Sequence, residues 1–378
     1  MVSEITKIPS AILDNGSGLC KVGISGEQSP RFIQATVLGY PQNIIPKAGT
    51  EHKACYVGQD AQDKRNILTL RYPMQHGIVT SWDDMEKIWK HLYEHGLREP
   101  PEQRPVLLTE APLNPPENRA KMIEIFFETF QVPALYVALQ GLMALYATGK
   151  NTGIVLDCGD GVTGVIPIYE DRCLLQSMSR SDFAGRDVTN YLSRLLLERG
   201  IHLVNTGNKD VVTDIKERLC YVIPDPHERK KAKTIDCSMY NYILPDGHSM
   251  QIGEELFQVP ESLFQPSKAG SSSPGIHKLV FKSVMKSSHH FQKDLLKNLI
   301  LSGGSTLCPG LKKRLWMELE SLLKGSPNVN ITAPSDRLLS VWIGASVITS
   351  LSTFEQMWVS RAAYHEIGPA VIQEKCFW

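Results

Sequence analysis

The sequence predicts an α/β fold made of two similar halves around a shared cleft, and three observations carry that prediction. The first is the stretch Ala11–Lys21, an apolar strand-type run that ends in Asp14 and passes at once into Asn15-Gly16-Ser17-Gly18. Asn-Gly most favours a tight hairpin turn, so a second strand carrying Leu19 and Lys21 should leave it. The second observation is a copy: Thr152–Val162 again runs from an apolar strand through Asp157 into a glycine-spaced turn, Gly159-Asp160-Gly161. The third is a β-α-β unit between the copies. Its strand covers Arg104–Thr109, Asn114 caps a helix over Pro115–Phe130 with Met122, Ile123, Phe126 and Phe127 inward, and Ala134–Ala138 forms the next strand.

The residues of the hairpins suggest their chemistry. Turn amides freed of bulk by Gly16 and Gly18, with the Ser17 hydroxyl, can surround a phosphate, and Lys21 adds positive charge. Asp14 suits a hydrated magnesium ion, which keeps most of its waters and needs only one or two carboxylates. A single such hairpin reads first as a plain surface turn, since Asn-Gly hairpins after buried strands are common. Two of them facing one cleft would set Asp14 and Asp157 on one cation and grip one polyphosphate from opposite sides.

A chain of 378 residues is long enough for two lobes. Lys plus Arg equals Asp plus Glu at 40 each, so no global field draws it to nucleic acid or to an anionic membrane. Eight cysteines without a Cys-x-x-Cys pair suggest reduced thiols, an intracellular setting and no zinc site. The N-terminus lacks a basic-then-apolar signal, and no run approaches the ~18 apolar residues of a membrane span.

Taken in order, Phe32–Val37 reads as a strand, Tyr40–Tyr56 as a loop, and a small insertion ends near Arg71-Tyr72-Pro73. Ser81 can cap a helix that turns Met85, Ile88, Trp89 and Leu92 to one face, with Asp83 and Asp84 in its first turn. Gln140, at the end of the β-α-β unit, either reaches the cleft or is a capping or surface amide. Gly185-Arg186-Asp187 opens a helix with Val188, Tyr191, Leu192, Leu195 and Leu196 at helical spacing. In a further helix over Asp210–Tyr221, Lys216 and Glu217 either reach a ribose or base or form a solvated face. The basic run His227–Lys233 reads as an exposed loop or helix end, Gln265–Ser273 as a polar loop, and His289-His290 as exposed histidines. Leu299–Gly304 is a strand entering a third glycine turn, Gly303-Gly304-Ser305, where small residues let a base or ribose lie close to the backbone; a helix follows with Leu311, Leu315, Leu319 and Leu322 inward.

Two phosphate hairpins on two similar halves resemble the sugar-kinase, Hsp70 and actin superfamily, with duplicated RNase H-like domains. Longer stretches narrow this to the actin family, as an actin-related protein. They include Asp14–Lys21, His76-Gly77-Ile78-Val79, Trp82–Trp89, Leu107–Pro115, Asp157–Thr163 and Ser340-Val341-Trp342-Ile343-Gly344. The resemblance implies an actin-like fold of four subdomains around a nucleotide cleft: 1–35, 73–147 and 340–378; 36–72; 148–183 and 272–339; and 184–271. It implies ATP or ADP with Mg2+ or Ca2+, the cation held by Asp14 and Asp157. Phosphates would meet Ser17, Gly18, Lys21, Gly159, Asp160 and Gly161, with Gly16, Leu19 and Val162 also among the nucleotide-binding residues. Ribose and base would meet Gly185, Lys216, Glu217, Gly303, Gly304 and Ser305, while Gln140 would position the attacking water.

The departures from the family pattern carry their own expectations. Gly164 stands where actins have a histidine that helps order this water, which implies slow hydrolysis, raised by Gly164→His. Thr213, Cys308 and Leu338 replace the family's ribose arginine, adenine-stacking tyrosine and adenine-side lysine. The loop containing Ile44–Gly49 and the plug Lys268–Ser271 lose the apolar anchors of a filament contact, at about 2 kcal/mol each, and Met1–Glu4 lacks an acidic cluster. The groove near Tyr146, Ile348 and Leu351, where actin-binding proteins insert a helix, stays small and apolar. The resemblance therefore implies a subunit of a heteromeric cytoskeletal complex in the cytoplasm, with a filament-forming ATPase as the alternative. No carboxylate is placed as the base that a small-molecule kinase would need. Ile331–Arg337 and Gly344-Ala345-Ser346 look closer to the testis-type actin-related proteins of the sperm head than to conventional actin.

Overall fold

The computed structural model describes residues 8–42, 53–203, 209–225, 239–244, 247–324, 328–368 and 371. The N-terminal tetrapeptide, Ile44–Gly49 and the basic run His227–Lys233 lie outside the described residues.

The chain repeats one sheet plan twice. In the first sheet the strands run Phe32–Ala35, Leu19–Ile24, Ala11–Asn15, Val106–Glu110, Ala134–Leu139 and Val359–Ser360. The second runs Arg172–Cys173, Thr163–Tyr169, Gly153–Cys158, Leu299–Ser302 and Ile331–Thr332, with Ser179–Ser181 also paired to Thr163–Tyr169. In each, an antiparallel hairpin donates its first strand to a parallel partner: Leu13 lies opposite Leu108 in one, and Leu156 opposite Leu301 in the other. Register then makes Asp14 and Asp157 equivalent, and their cross-hairpin neighbours, Lys21 and Gly164, equivalent as well.

Continuous apolar runs explain the central strands. Val106–Glu110 and Ala134–Leu139 are buried at every position, as strands covered on both faces must be. One cover is the helix Trp82–His91, whose Met85, Ile88 and Trp89 are buried; the Trp89 ring meets Phe126 edge-on at 4.8 Å. Each such large side chain contributes about 1.5–3 kcal/mol by burial. The halves are joined where the helix Ser340–Thr349 crosses Gln140–Tyr146. A Cβ at Gly344 would sit 1.7 Å from Met143 O, so only glycine allows that approach.

Local signals misplace several details. Neither Asn15 nor Gly16 has positive φ, so the expected Asn-Gly turn does not form. Asn15 stays in the strand because its N–H donates to Thr109 Oγ1 at 3.1 Å and its Oδ1 accepts from Trp89 Nε1 at 2.9 Å. The connection is Gly16-Ser17-Gly18 instead. Ser81 occupies the N-cap position without a side-chain cap bond. Asn114 is not the cap of the next helix, which begins at Pro116 after Pro115; its amide donates to Glu110 Oε2 at 2.9 Å. Tyr40 and Pro41 belong to the strand Leu38–Pro41 rather than to a loop. The polar stretch after Gln265 forms a short 3₁₀ turn, Pro266–Ala269, and Leu322 is only half-buried.

Candidate functional site

Asp14, next to last in its strand, lies inside the protein, 2% exposed, and both of its carboxylate oxygens accept hydrogen bonds. Lys21 Nζ lies 2.8 Å from Asp14 Oδ2, and Thr109 Oγ1 donates to Asp14 Oδ1 at 2.7 Å. Burial by itself would lower the Lys21 pKa, but the Asp14 contact and the charge of Asp157 reverse this and raise it, so the ammonium is held. Gln140 opens its helix directly beyond the parallel strand. Its Nε2 donates to Asn15 O at 2.8 Å and reaches Thr109 Oγ1 at 3.3 Å and Asp14 Oδ1 at 3.4 Å. The amide is therefore at the carboxylate rather than on the surface.

Asp157 keeps part of its surface, yet so much protein surrounds the carboxyl that its pKa rises to about 6. Burial is the main cause; the charge of Asp14 adds to it, and Ser302 and Lys21 oppose it. Ser302 lies opposite Asp157 in the ladder, and its buried hydroxyl forms no hydrogen bond of full geometry, leaving an unsatisfied polar group beside the carboxyl. A raised carboxyl pKa means that the folded state holds the proton more tightly. Its stabilising contribution is complete below the unfolded value of 3.8 and is lost as pH rises through about 6. Chelated protein is expected to lose roughly 2–3 kcal/mol across that window, a loss Asp157→Asn removes. Denaturant midpoints measured from pH 4 to 7 check this, and an unchanged slope in the variant would refute it.

The two glycine turns meet face to face. A Cβ at Gly18 would sit 2.8 Å from Asp160 Cβ, and one at Gly161 would sit 2.5 Å from Ser17 Oγ, so the absence of side chains is what lets the loops approach. Ser17 Oγ accepts from Gly77 N at 2.8 Å, and His76 Nδ1 is 2.9 Å from Gly161 O. Gly159 N donates to Val162 O at 3.1 Å and closes the second turn, with Val162 buried. The third turn joins them: Gly303 has φ of 85°, and a Cβ there would lie 2.3 Å from Cys158 O and 2.8 Å from Asp157 Oδ1. Ser305 Oγ donates to Gly159 O at 2.7 Å, as does Gly185 N at 3.0 Å.

The remaining residues fall unevenly. Lys216 Nζ donates to Gly185 O at 3.2 Å and so reaches this cluster, whereas the Glu217 side chain is 65% exposed. Leu19 sits in the second hairpin strand, paired with Ala35, and is exposed. Leu338 leans over Gly304, its Cδ1 3.2 Å from where a Cβ would be. Cys308 donates to Cys220 O at 3.6 Å, and burial pushes its thiol up to about 12. Thr213 lies on the helix Lys209–Leu219. Sequence reasoning missed Thr109, which orients Asp14, and took Arg186 only as a helix opener. Arg186 Nη2 bonds Asp160 Oδ2 at 2.7 Å and Ser17 O at 3.0 Å, bridging the two loops. An arginine one residue beyond Gly185 was the available signal.

Gly164 does not leave an open space. A Cβ there would meet Pro112 Cγ at 2.6 Å and Ile166 Cδ1 at 3.2 Å. The proline ring is rigid, and Arg180 Nη1 donates to Pro112 O at 3.0 Å, so the segment resists displacement. The simple expectation that Gly164→His supplies the missing imidazole is thereby corrected: the ring must first displace Pro112.

Among the described residues no three His, Cys, Asp or Glu side chains cluster as a metal site, and no helix is long and apolar enough to cross a membrane. Compared with models of protein families, residues 5–377 match the one described as Actin.

Proposed function

The chain belongs to the actin family, and from that premise we propose that it is an actin-related subunit that holds ATP or ADP with Mg2+ or Ca2+ between its two halves, hydrolyses ATP slowly and works inside a heteromeric assembly. It is an actin-like, nucleotide-binding cytoskeletal protein. The observation that carries the finer reading is the apposition of two glycine-flanked turns, Gly16–Gly18 and Gly159–Gly161, beside Asp14 and Asp157. The residues fit the group in their donor set: a buried unsatisfied Ser302 hydroxyl opposite Asp157 and an all-oxygen pair of carboxylates suited to a hard, hydrated cation. Once bound, such a cation would neutralise phosphate charge and polarise the terminal phosphoryl group.

In this reading Asp14 and Asp157 hold the cation through its waters, Ser17, Gly18, Lys21 and Gly159–Gly161 hold phosphates, and Gly185, Lys216, Gly303, Gly304 and Ser305 border the ribose and base. Glu217 would have to turn inward to join them. Gln140 orients a water without the aid of an imidazole, and Pro112 fills the place where one would start. Gly164→His is accordingly expected to cost about 1–3 kcal/mol in stability by overpacking, without speeding single-turnover phosphate release. Paired with Pro112→Ala, it should release phosphate faster; acceleration in the single variant would refute the steric account.

The four-subdomain division given above is part of this proposal, as is a partner helix docking near Tyr146 and Ile348, where Val347 and Leu351 are 49% and 48% exposed. So are a cytoplasmic placement and kinship with the testis-type proteins of the sperm head. The second reading, a self-assembling ATPase, is favoured by Gln140 standing within reach of Asp14 and Thr109. Chromatography of acid extracts tests the proposal. About one adenine nucleotide per chain, lost on chelation, is expected, and protein purified without nucleotide and indifferent to added ATP and Mg2+ would overturn it.

A further inference from the structure

The strand Ile331–Thr332 is the last in its sheet. Its parallel register sets Ile331 opposite Leu299, and Leu299 N donates to Asn330 O at 3.1 Å. In such a ladder the groups at 330 and 332 face the inner strand, so the N–H and C=O of Ile331 face outward, where no further described strand lies. Beside this edge runs the helix Leu311–Leu323. Its Leu311, Leu315 and Leu319 pack inward with Val329 and Ile331, while Lys312, Lys313 and Trp316, one turn apart, face out. Between helix and edge lies a groove of about 490 Å³ lined by Gly310, Lys312, Lys313, Trp316 and Val329–Ile331. Trp316 is 44% exposed, although an indole normally seeks cover. No carboxylate lines the groove, and neither lysine has an ion-pair partner among the described residues.

We propose that this groove docks an extended acidic segment of a partner protein, which adds to the Ile331 edge as a strand, lays one apolar side chain on Trp316 and sets its carboxylates on Lys312 and Lys313. Each feature selects part of that ligand. An outward-facing strand edge recognises peptide backbone, an exposed indole over a largely apolar groove recognises an aromatic or aliphatic anchor, and two unpaired ammonium groups with no acid among the lining residues recognise negative charge. The backbone requirement favours a peptide over a nucleic acid, which would use the lysines and indole but not the edge. The site stands apart from the nucleotide cleft and does not depend on the reading of that cleft.

The probe is a fluorescein-labelled nine-residue peptide alternating glutamate and valine around a central phenylalanine, titrated with the full-length chain and followed by anisotropy. Saturable, salt-sensitive binding is expected. It should weaken about tenfold or more in Trp316→Ala and in Lys312→Glu with Lys313→Glu, and also for a peptide N-methylated on alternate residues. The lysine variants change only exposed side chains, so their melting curves should match the parent and exclude misfolding. Absence of binding, or binding equal in all variants, overturns the proposal. Tighter capture of a single-stranded oligonucleotide by the same residues would overturn it in favour of nucleic acid. Concentration-dependent dimers abolished by Trp316→Ala would overturn it in favour of a second copy of the chain.

Discussion

Asp157→Ala is expected to lose bound nucleotide and cation together and to melt several degrees below the parent when both are purified with ATP and Mg2+. A ligand at about a hundred times its dissociation constant stabilises by ~2.7 kcal/mol, worth roughly 3–4 °C in a chain of 378 residues. The same carboxylate has the opposite effect once ligands are stripped. Its pKa is raised to about 6 by burial and by the nearness of Asp14, so at neutral pH it is ionised at a cost in stability. Stripped Asp157→Asn should therefore be at least as stable as stripped parent, while loaded Asp157→Asn is less stable. That reversal separates a ligand-binding carboxylate from one that merely supports the fold, since a structural aspartate would destabilise with the same sign in both states. Calorimetry in chelator and in saturating ATP with Mg2+ reads the two arms, and a loss of equal size in each would sink the assignment.

The second large effect concerns self-association. In the proposed reading the polar plug at Lys268–Ser271 and the changed tip at Ile44–Gly49 would each cost a filament contact about 2 kcal/mol, which would raise the critical concentration about a thousandfold if the losses add. The protein alone should stay in the supernatant at micromolar concentration in polymerising salt. The plug side can be tested in isolation. Pro266–Ala269 is a short turn held by Arg194 Nη2 donating to Lys268 O at 3.0 Å, and Ala269 borders a groove of about 510 Å³ together with Phe183, Tyr191 and Arg194. Ala269→Leu therefore has room for its added bulk, and together with Lys268→Phe it should partly restore sedimentable polymer. Filaments formed by the unaltered chain at a micromolar critical concentration would reverse the order of the two proposed readings.

Much of this protein was determined by short-range pattern. Apolar runs ending in Asp14 and Asp157, each followed by a glycine turn, specify a repeated strand-hairpin unit because a buried strand must end in a turn and glycine alone permits close backbone approach. Periodicity likewise assigned Met85, Ile88 and Trp89 to a buried helix face. What only the tertiary structure decided lies wherever a residue has two comparable local choices. Asn15 left its turn for the strand because Thr109 and Trp89, 94 and 74 residues away, supply its hydrogen bonds. Asn114 gave up its cap for Glu110. Arg186 became a bridge between the two glycine turns because the second half folds against the first. Gly164 reads in sequence as a missing side chain, yet Pro112 from another strand end occupies that volume. Local energies set which elements form, to within about 1 kcal/mol per residue, whereas partners, occupied space and the pKa of Asp157 depend on which distant segments arrive beside them.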